Sequence, residues 1–294
     1  MQKTLFAATL VYGLVNSATL MLTALGFSLT FGLSGVANFA HGGLYLMSGF
    51  VTWLLIHRLG LPFALAAPLA VLFAGLLGAA IYWVVVRPVR GIVLAEVIST
   101  FALGVAILEF FRWRGFTTYD FSLPPLVAGR VEIIGVVLDW HRVAIVGIGV
   151  GLTLLLWLFT HHSRIGLALR GMSQDEYTAL SVGIESDQAA MLSFALGGAL
   201  AAVAAIAILP LGIISINSGY DALLVALAVT VLGGLESTPG MILGSLLVGY
   251  GMVVTGNYLG PRWSEVVYLA AIVIILGVKP SGLLGKSKEL EDRV

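Results

Sequence analysis

The chain has 294 residues, 59% of them hydrophobic and only 10% charged, with a formal net charge of zero. Soluble domains carry about 25% charged residues, so this composition excludes a soluble globule, and the missing basic excess gives nucleic acid no footing. With no cysteine, disulfides and thiolate metal sites are excluded as well.

A helix needs about 20 mostly apolar residues to cross the hydrocarbon core. Residues 5–33, 61–86, 143–160, 189–211 and 266–278 with their flanks are the clearest runs, and 44–56, 93–111, 222–235 and 241–255 are shorter or more broken. Backbone amides in lipid must be bonded within their own segment. These runs therefore predict an all-α, polytopic membrane helix bundle with about eight to ten transmembrane helices. The period-2 alternation of a membrane barrel is absent, and the first run is too long for a cleavable signal peptide. Gly147-x-Gly149-x-Gly151, Gly197-Gly198 and Gly240-x-x-x-Gly244 fit close backbone packing between helices.

The first run breaks over 32–43, which carries Asn38, Phe39 and His41 among glycines. Irregular backbone at membrane depth survives only where protein buries it or a water-filled cavity faces it. Paired breaks in the two halves of a chain point to a transport pathway. The second break, 233–240, follows Ala226-Leu227 much as the first follows Ala24-Leu25. We read the first as a re-entrant segment near a pathway and the second as a turn at the membrane surface. Asn16, Asn38, Phe39, His41, Thr100, Asn217 and Ser218 are the candidate pathway residues. His41 is expected to bond a backbone carbonyl rather than titrate, and Glu96 and Glu109 to reach the interface from their helix ends.

Positive charge near helix ends marks the cytoplasmic side. Arg87-Pro88-Val89-Arg90, Arg164 with Arg170, and Lys279 with Lys286, Lys288 and Arg293 are placed there, which makes the tail 279–294 cytoplasmic and the linker 112–142 external. Alternation at Val131-Glu132-Ile133 and the pair Pro124-Pro125 predict a small folded lid in that linker. The side of the N-terminus stays open, because a single crossing over 5–33 puts it outside while Lys3 argues for inside.

The one strongly polar segment is 163–188. Ser173 and Glu176 have capping-box spacing, and Asp175 and Glu176 suit the positive end of a helix dipole. They predict a short helix over 174–182 that Gly183 stops. Tyr177, Leu180 and Ile184 would form an apolar ridge suited to a partner's groove. No metal-binding or nucleophile motif occurs, so no catalytic and no metal-ligating residues are expected, and His161-His162 reads as an interfacial cap. Gly285-Lys286-Ser287 imitates the end of a phosphate-binding loop, but Pro280 stands where the leading glycine belongs. Energy for transport would have to come from another polypeptide. A secondary transporter or channel would need no such partner, but coupling ions normally require ionisable residues in mid-membrane, and these runs have few.

Several motifs add a resemblance. They are Asn38-Phe39-Ala40-His41-Gly42 after Phe31-Gly32, Arg87-Pro88-Val89-Arg90, and Arg164-Ile165-Gly166-Leu167-Ala168-Leu169-Arg170 through Gln174-Asp175 to Gly183-Ile184. Val231-Leu232-Gly233-Gly234-Leu235 with Pro239-Gly240 and Lys279-Pro280-Ser281-Gly282-Leu283-Leu284-Gly285 complete the set. In this order the chain resembles the LivH-type permease subunit of ATP-binding-cassette importers for branched-chain amino acids. The resemblance implies a type II importer-like permease in a bacterial inner membrane, with a cytoplasmic C-terminus. It further implies a second, homologous LivM-like permease subunit, two cytoplasmic ATPase subunits that use ATP and Mg, and an external substrate-binding protein. No cofactor would be bound by this chain itself. Arg164, Gly166, Arg170, Ser173, Asp175, Glu176, Tyr177, Leu180 and Gly183 would form the ATPase-coupling region. The chain departs from the family at Glu236, where glycine is common, and at Tyr177-Thr178, where Pro-Glu is frequent. Relatives also carry urea, short amides and small carboxylates, so the cargo stays open.

Overall fold

The computed structural model describes residues 2–114, 121–212, 214–235 and 237–285; the side chains of residues 2–4, Glu176 and Glu265 are not described. Glu236, Lys286, Lys288, Arg293 and linker residues 115–120 therefore lie outside the described residues.

Among the described residues eleven α-helices follow in order: α1 Gln2–Ser34, α2 His41–His57, α3 Phe63–Ile81, α4 Val93–Trp113, α5 Trp140–His162, α6 Arg164–Gln174, α7 Glu176–Ser181, α8 Ser186–Ile208, α9 Ile216–Gly233, α10 Thr238–Tyr258 and α11 Ser264–Val278. Among the described residues, eight helical stretches are long and apolar enough to span a bilayer. This is a polytopic, all-α membrane protein. The helix α2, at 17 residues, is shorter, and α6 and α7 are too short and too polar to cross.

Two ends of the bundle can be told apart by contact. At one end Arg87 and Arg90 pair with Asp187 at the start of α8. The C-terminus of α1 meets Arg90 and Gln174 around a common cleft there. Residues 279–285 fold back on the same end, where Leu283 and Leu284 donate their amides to the Leu232 and Gly233 carbonyls. The three basic clusters thus share one end as far as they are described. At the opposite end a hairpin pairs β1, Arg130–Ile133, with β2, Val136–Asp139, in the register Arg130 to Asp139. Its two turn residues, Ile134 and Gly135, both have positive φ, as the tightest hairpin turns require. Tyr12 donates its hydroxyl to the Val137 carbonyl, so α1 begins at the hairpin end and crosses once.

Helix α8 sits at the centre, packed by α1, α2 and α3. Its buried face is built from Gly197, Gly198, Ala201, Ala202, Ala204 and Ala205. Lipid tails are as apolar as leucine, so membrane helices associate through close van der Waals packing, which small residues allow. A Cβ on Gly198 would strike the Ala74 carbonyl of α3, and one on Gly26 of α1 would lie 2.6 Å from the Gly197 carbonyl. Of the three glycines at 147–151, only Gly149 meets another helix; Gly147 and Gly151 face open space. Gly198→Val is expected to lower the thermal melting point of the purified protein, with overpacking of about 1–3 kcal/mol, whereas Gly151→Val should melt as the wild type does.

Candidate functional site

The first break is a fold-back inside the bundle. Helix α1 ends at Ser34, and Gly35 turns the chain with φ of 69°. Residues 36–40 then run back along α1, and α2 starts at His41. The buried His41 ring places its Nε2 2.9 Å from the Thr23 carbonyl. Thr23 lies eleven residues up α1 from Ser34, about 16 Å at the helical rise. Helix α2 therefore starts at mid-depth, and the irregular backbone before it is buried against α4 and α9.

Several of its polar groups find partners there. Asn38 is buried and its Oδ1 accepts the Ala40 amide at 3.1 Å, while the His41 amide bonds the Asn38 carbonyl. The Thr100 hydroxyl of α4 accepts the Phe39 amide at 3.3 Å and lies 3.3 Å from the Ala37 carbonyl. Backbone approaches are close. A Cβ on Gly104 would lie 2.9 Å from the Phe39 carbonyl, and one on Gly42 would strike the Gly219 carbonyl of α9.

The Phe39 ring stands edge-on between Phe27 and the exposed Phe101. With Gly104, Leu108, Tyr220 and Leu223 it lines a shallow apolar cleft. Toward the hairpin end this cleft turns polar. Tyr220 donates to Glu109 at 3.1 Å, and Glu109 pairs with Arg112 at 3.0 Å. On α9, Asn217, Asp221 and Leu224 are exposed. An ionisable residue facing outward at membrane depth marks a water-filled or protein-covered surface.

The predicted pathway residues divide on this geometry. Asn38, Phe39, His41 and Thr100 come together at the break. Asn217 and Ser218 lie in the first turn of α9, where Ser215 and Ser218 form a reciprocal capping box. Asn16 lies apart, donating to the Gly249 carbonyl of α10. Glu96 is buried one turn into α4, and its Oε1 accepts the amide of Gly91, in the exposed turn before that helix, at 2.8 Å.

The short helix expected over 174–182 is present as α7, starting two residues later and ending before Gly183, and a second short helix, α6, precedes it. Ser163 caps α6 by accepting the Gly166 amide at 2.9 Å, and a Cβ on Gly166 would strike the Phe159 carbonyl, so Gly166 permits the sharp turn from α5. Arg164 is exposed and Arg170 half-buried. Ser173 is not a cap; its hydroxyl donates back to the Arg170 carbonyl. Asp175 caps α7 instead, accepting both the amide and the hydroxyl of Thr178. Its carboxylate is the stronger acceptor and sits one residue before Glu176, whose side chain lies outside the described residues. These Thr178 bonds hold the Asp175 carboxyl below the ordinary carboxylate range. The cap is therefore intact throughout that range and above, and is lost only as pH falls through the lowered value.

Leu169, Met172 and Ala179 bury against Ala189 of α8, with Ile184 packed on them. Ile184 thus turns inward rather than extending the ridge. The exposed apolar residues of α7 and its C-terminal turn are Tyr177, Leu180 and Val182, with Tyr177 88% exposed. Gly183 ends the turn with φ of 86°.

Residues 9–276 match the family described as branched-chain amino acid transport system / permease component. The chain belongs to this family. The permease is 31% identical to the high-affinity branched-chain amino acid transport system permease protein BraD of Pseudomonas aeruginosa, over 94% of this chain and 95% of that one. It is 29% identical to the permease protein LivH of Escherichia coli K12, over 96% of each chain. It is also 23% identical to the probable LivH of Methanocaldococcus jannaschii, over 92% of this chain and 90% of that one. No solved structure matches the permease.

Sequence reasoning missed Tyr220, Asp221, Phe101 and Asp187. The signal for Asp187 and Asp221 was a lone acid in the first two turns of a strongly apolar helix. Tyr220 and Phe101 carry no sequence signal apart from their proximity to the break in the fold.

Proposed function

We propose that this permease is the membrane subunit of an ATP-binding-cassette importer that moves branched-chain amino acids inward across a bacterial inner membrane. The observation that carries this reading is the α6–α7 segment. It is a packed platform outside the spanning helices that presents Tyr177, Leu180 and Val182 to solvent, in a chain whose family is a permease component. A short apolar ridge on a folded polar segment suits a groove in a partner protein. Residues 163–188 then form the coupling region for two cytoplasmic ATPase subunits, which bind ATP and Mg. This chain binds neither and catalyses nothing itself.

That assignment puts the tail 279–294 in the cytoplasm and the hairpin of the linker 112–142 outside, where a substrate-binding protein delivers cargo. A second, homologous LivM-like subunit completes the pathway along the cleft at Phe39 and Phe101. The cleft is shallow and apolar with a polar outer rim, which suits an apolar amino acid because weak binding lets solute leave. Labelled leucine uptake into vesicles is the test, using both permease subunits, the ATPase subunits and the binding protein. Uptake is expected only with ATP on the ATPase side, and uptake that continues without the ATPase subunits would overturn the reading.

A further inference from the structure

The two arginines between α3 and α4 converge on one acid at the start of α8. Asp187 Oδ1 accepts the Tyr82 hydroxyl at 2.7 Å and Arg90 Nη1 at 2.8 Å, and its Oδ2 accepts Arg87 Nε at 2.9 Å. Arg90 also donates to the Tyr82 hydroxyl at 2.9 Å and to Ser186. Tyr82 is fully buried beside Phe194, and the Arg87 guanidinium lies 4.0 Å over the Trp83 ring. The backbone is wound for this convergence. Tyr82–Val86 is a π-helical turn, whose i to i+5 bonding brings residues five apart toward one face. Tyr82 and Arg87 thereby both reach α8.

The cluster stands between two regions already described. Only Val182 to Glu185 separates α7 from α8, and the Gly183 and Ile184 amides bond back to Leu180 and Ala179. On the other side, the Gly91 amide donates to Glu96. One turn further along α4, Thr100 holds Ala37 and Phe39 of the break. Polar contacts joined by short stretches of backbone therefore run from the platform, through Asp187 and the 87–91 turn, to the fold-back at the cleft.

We infer that Asp187 and Arg90 are a positioning pair that carries displacement of the α6–α7 platform to the break at 35–41. The inference rests on the reading that an ATPase docks on that platform. The Asp187 and Arg90 side chains are 38% and 24% exposed, and partly exposed ion pairs contribute little net stability. What three converging donors do supply is a fixed geometry between two elements. Breaking the pair should therefore leave the fold intact and affect the transmission of movement.

The test measures leucine imported per ATP hydrolysed by the complete complex in vesicles. For Asp187→Asn and Arg90→Gln, the ATPase rate and permease melting point are expected to stay near wild type. Import per ATP should fall about tenfold, through the maximal rate and not through the apparent KM for loaded binding protein. Asp187→Glu should recover part of the coupling. An unchanged ratio in both variants overturns the inference, and so does a loss of import that only follows a lowered melting point. If the wild-type complex imports without its ATPase, the ATPase reading falls first and takes this inference with it. Normal ATP-driven uptake with a coupled Asp187→Asn overturns the inference alone.

Discussion

Gly42→Leu is expected to abolish uptake, and to do so more severely than any substitution at the break that leaves the backbone crossing intact. Gly42 opens α2 at mid-depth, where its backbone touches Gly219 of α9; a Cβ at Gly219 would in turn lie 2.9 Å from the Gly42 carbonyl and 2.6 Å from Leu108. The obstacle to a side chain at 42 is the Gly219 carbonyl in the first turn of α9, a backbone group held by the helix that cannot rotate away. The added atoms must push α2 off α9, and overpacking of this kind costs about 1–3 kcal/mol or more. The displacement would also part Phe39 from Thr100, leaving the Phe39 amide only the Ala37 carbonyl at 3.1 Å as acceptor. Gly35→Asn is the matched control. Gly35 has φ of 69° with no heavy atom near its Cβ position, and asparagine tolerates that conformation better than other residues. The expected ranking by thermal melting and leucine uptake is wild type, then Gly35→Asn, then Thr100→Val, then Gly42→Leu. Wild-type melting and uptake for Gly42→Leu would remove the tight α2–α9 crossing from this account.

The spans were legible because lipid imposes a crude demand: length and apolarity suffice to mark α1, α3, α5, α8 and α11. The break was legible because Asn38, His41 and several glycines have no reason to interrupt an apolar run unless the backbone leaves the helix. Its depth was not, since only the contact from His41 to Thr23 shows that α2 starts well inside. In the polar segment the spacing of Ser173 and Glu176 suggested one helix, yet the neighbouring Asp175 is the better acceptor and took the cap. Helix α6 was hidden by Gly166 and Gly171, which lower helix propensity but are accommodated by packing on α5 and α8. The Asp187 cluster joins residues about a hundred positions apart, a distance at which no local pattern speaks. The hairpin was half legible. Alternation marked β1, while the turn at Ile134-Gly135 places a β-branched residue at positive φ, which local preference argues against.

Tyr177→Asp combined with Leu180→Asp should leave the permease folded and inactive. Both side chains project from α7 into solvent, and neither belongs to the small core that seats the platform, which consists of Leu169, Met172, Ala179 and Ala189. Replacing them removes no internal packing, and surface changes of this sort usually stay within about 0.5 kcal/mol. A docked partner would lose far more. Tyrosine is enriched among interface anchors, whose truncation costs about 2 kcal/mol or more, roughly thirtyfold in affinity, and a carboxylate placed in the vacated apolar groove adds desolvation without a partner. The expected measurement is an unchanged melting point for the permease, loss of ATPase subunits on co-purification, and loss of ATP-driven uptake. Met172→Asp provides the contrast, because it strikes the platform's core and should lower stability before docking is considered. Gly183→Pro separates rigidity from contact. Proline fixes φ near −65° and cannot reproduce the 86° that ends the platform, so it should redirect the chain into α8 while Tyr177 and Leu180 remain in place. The ATPase would then bind and hydrolyse ATP with little import. If the Tyr177→Asp, Leu180→Asp pair binds and imports like wild type, the engine grips some other face of the permease, and the platform's exposed ridge has another purpose.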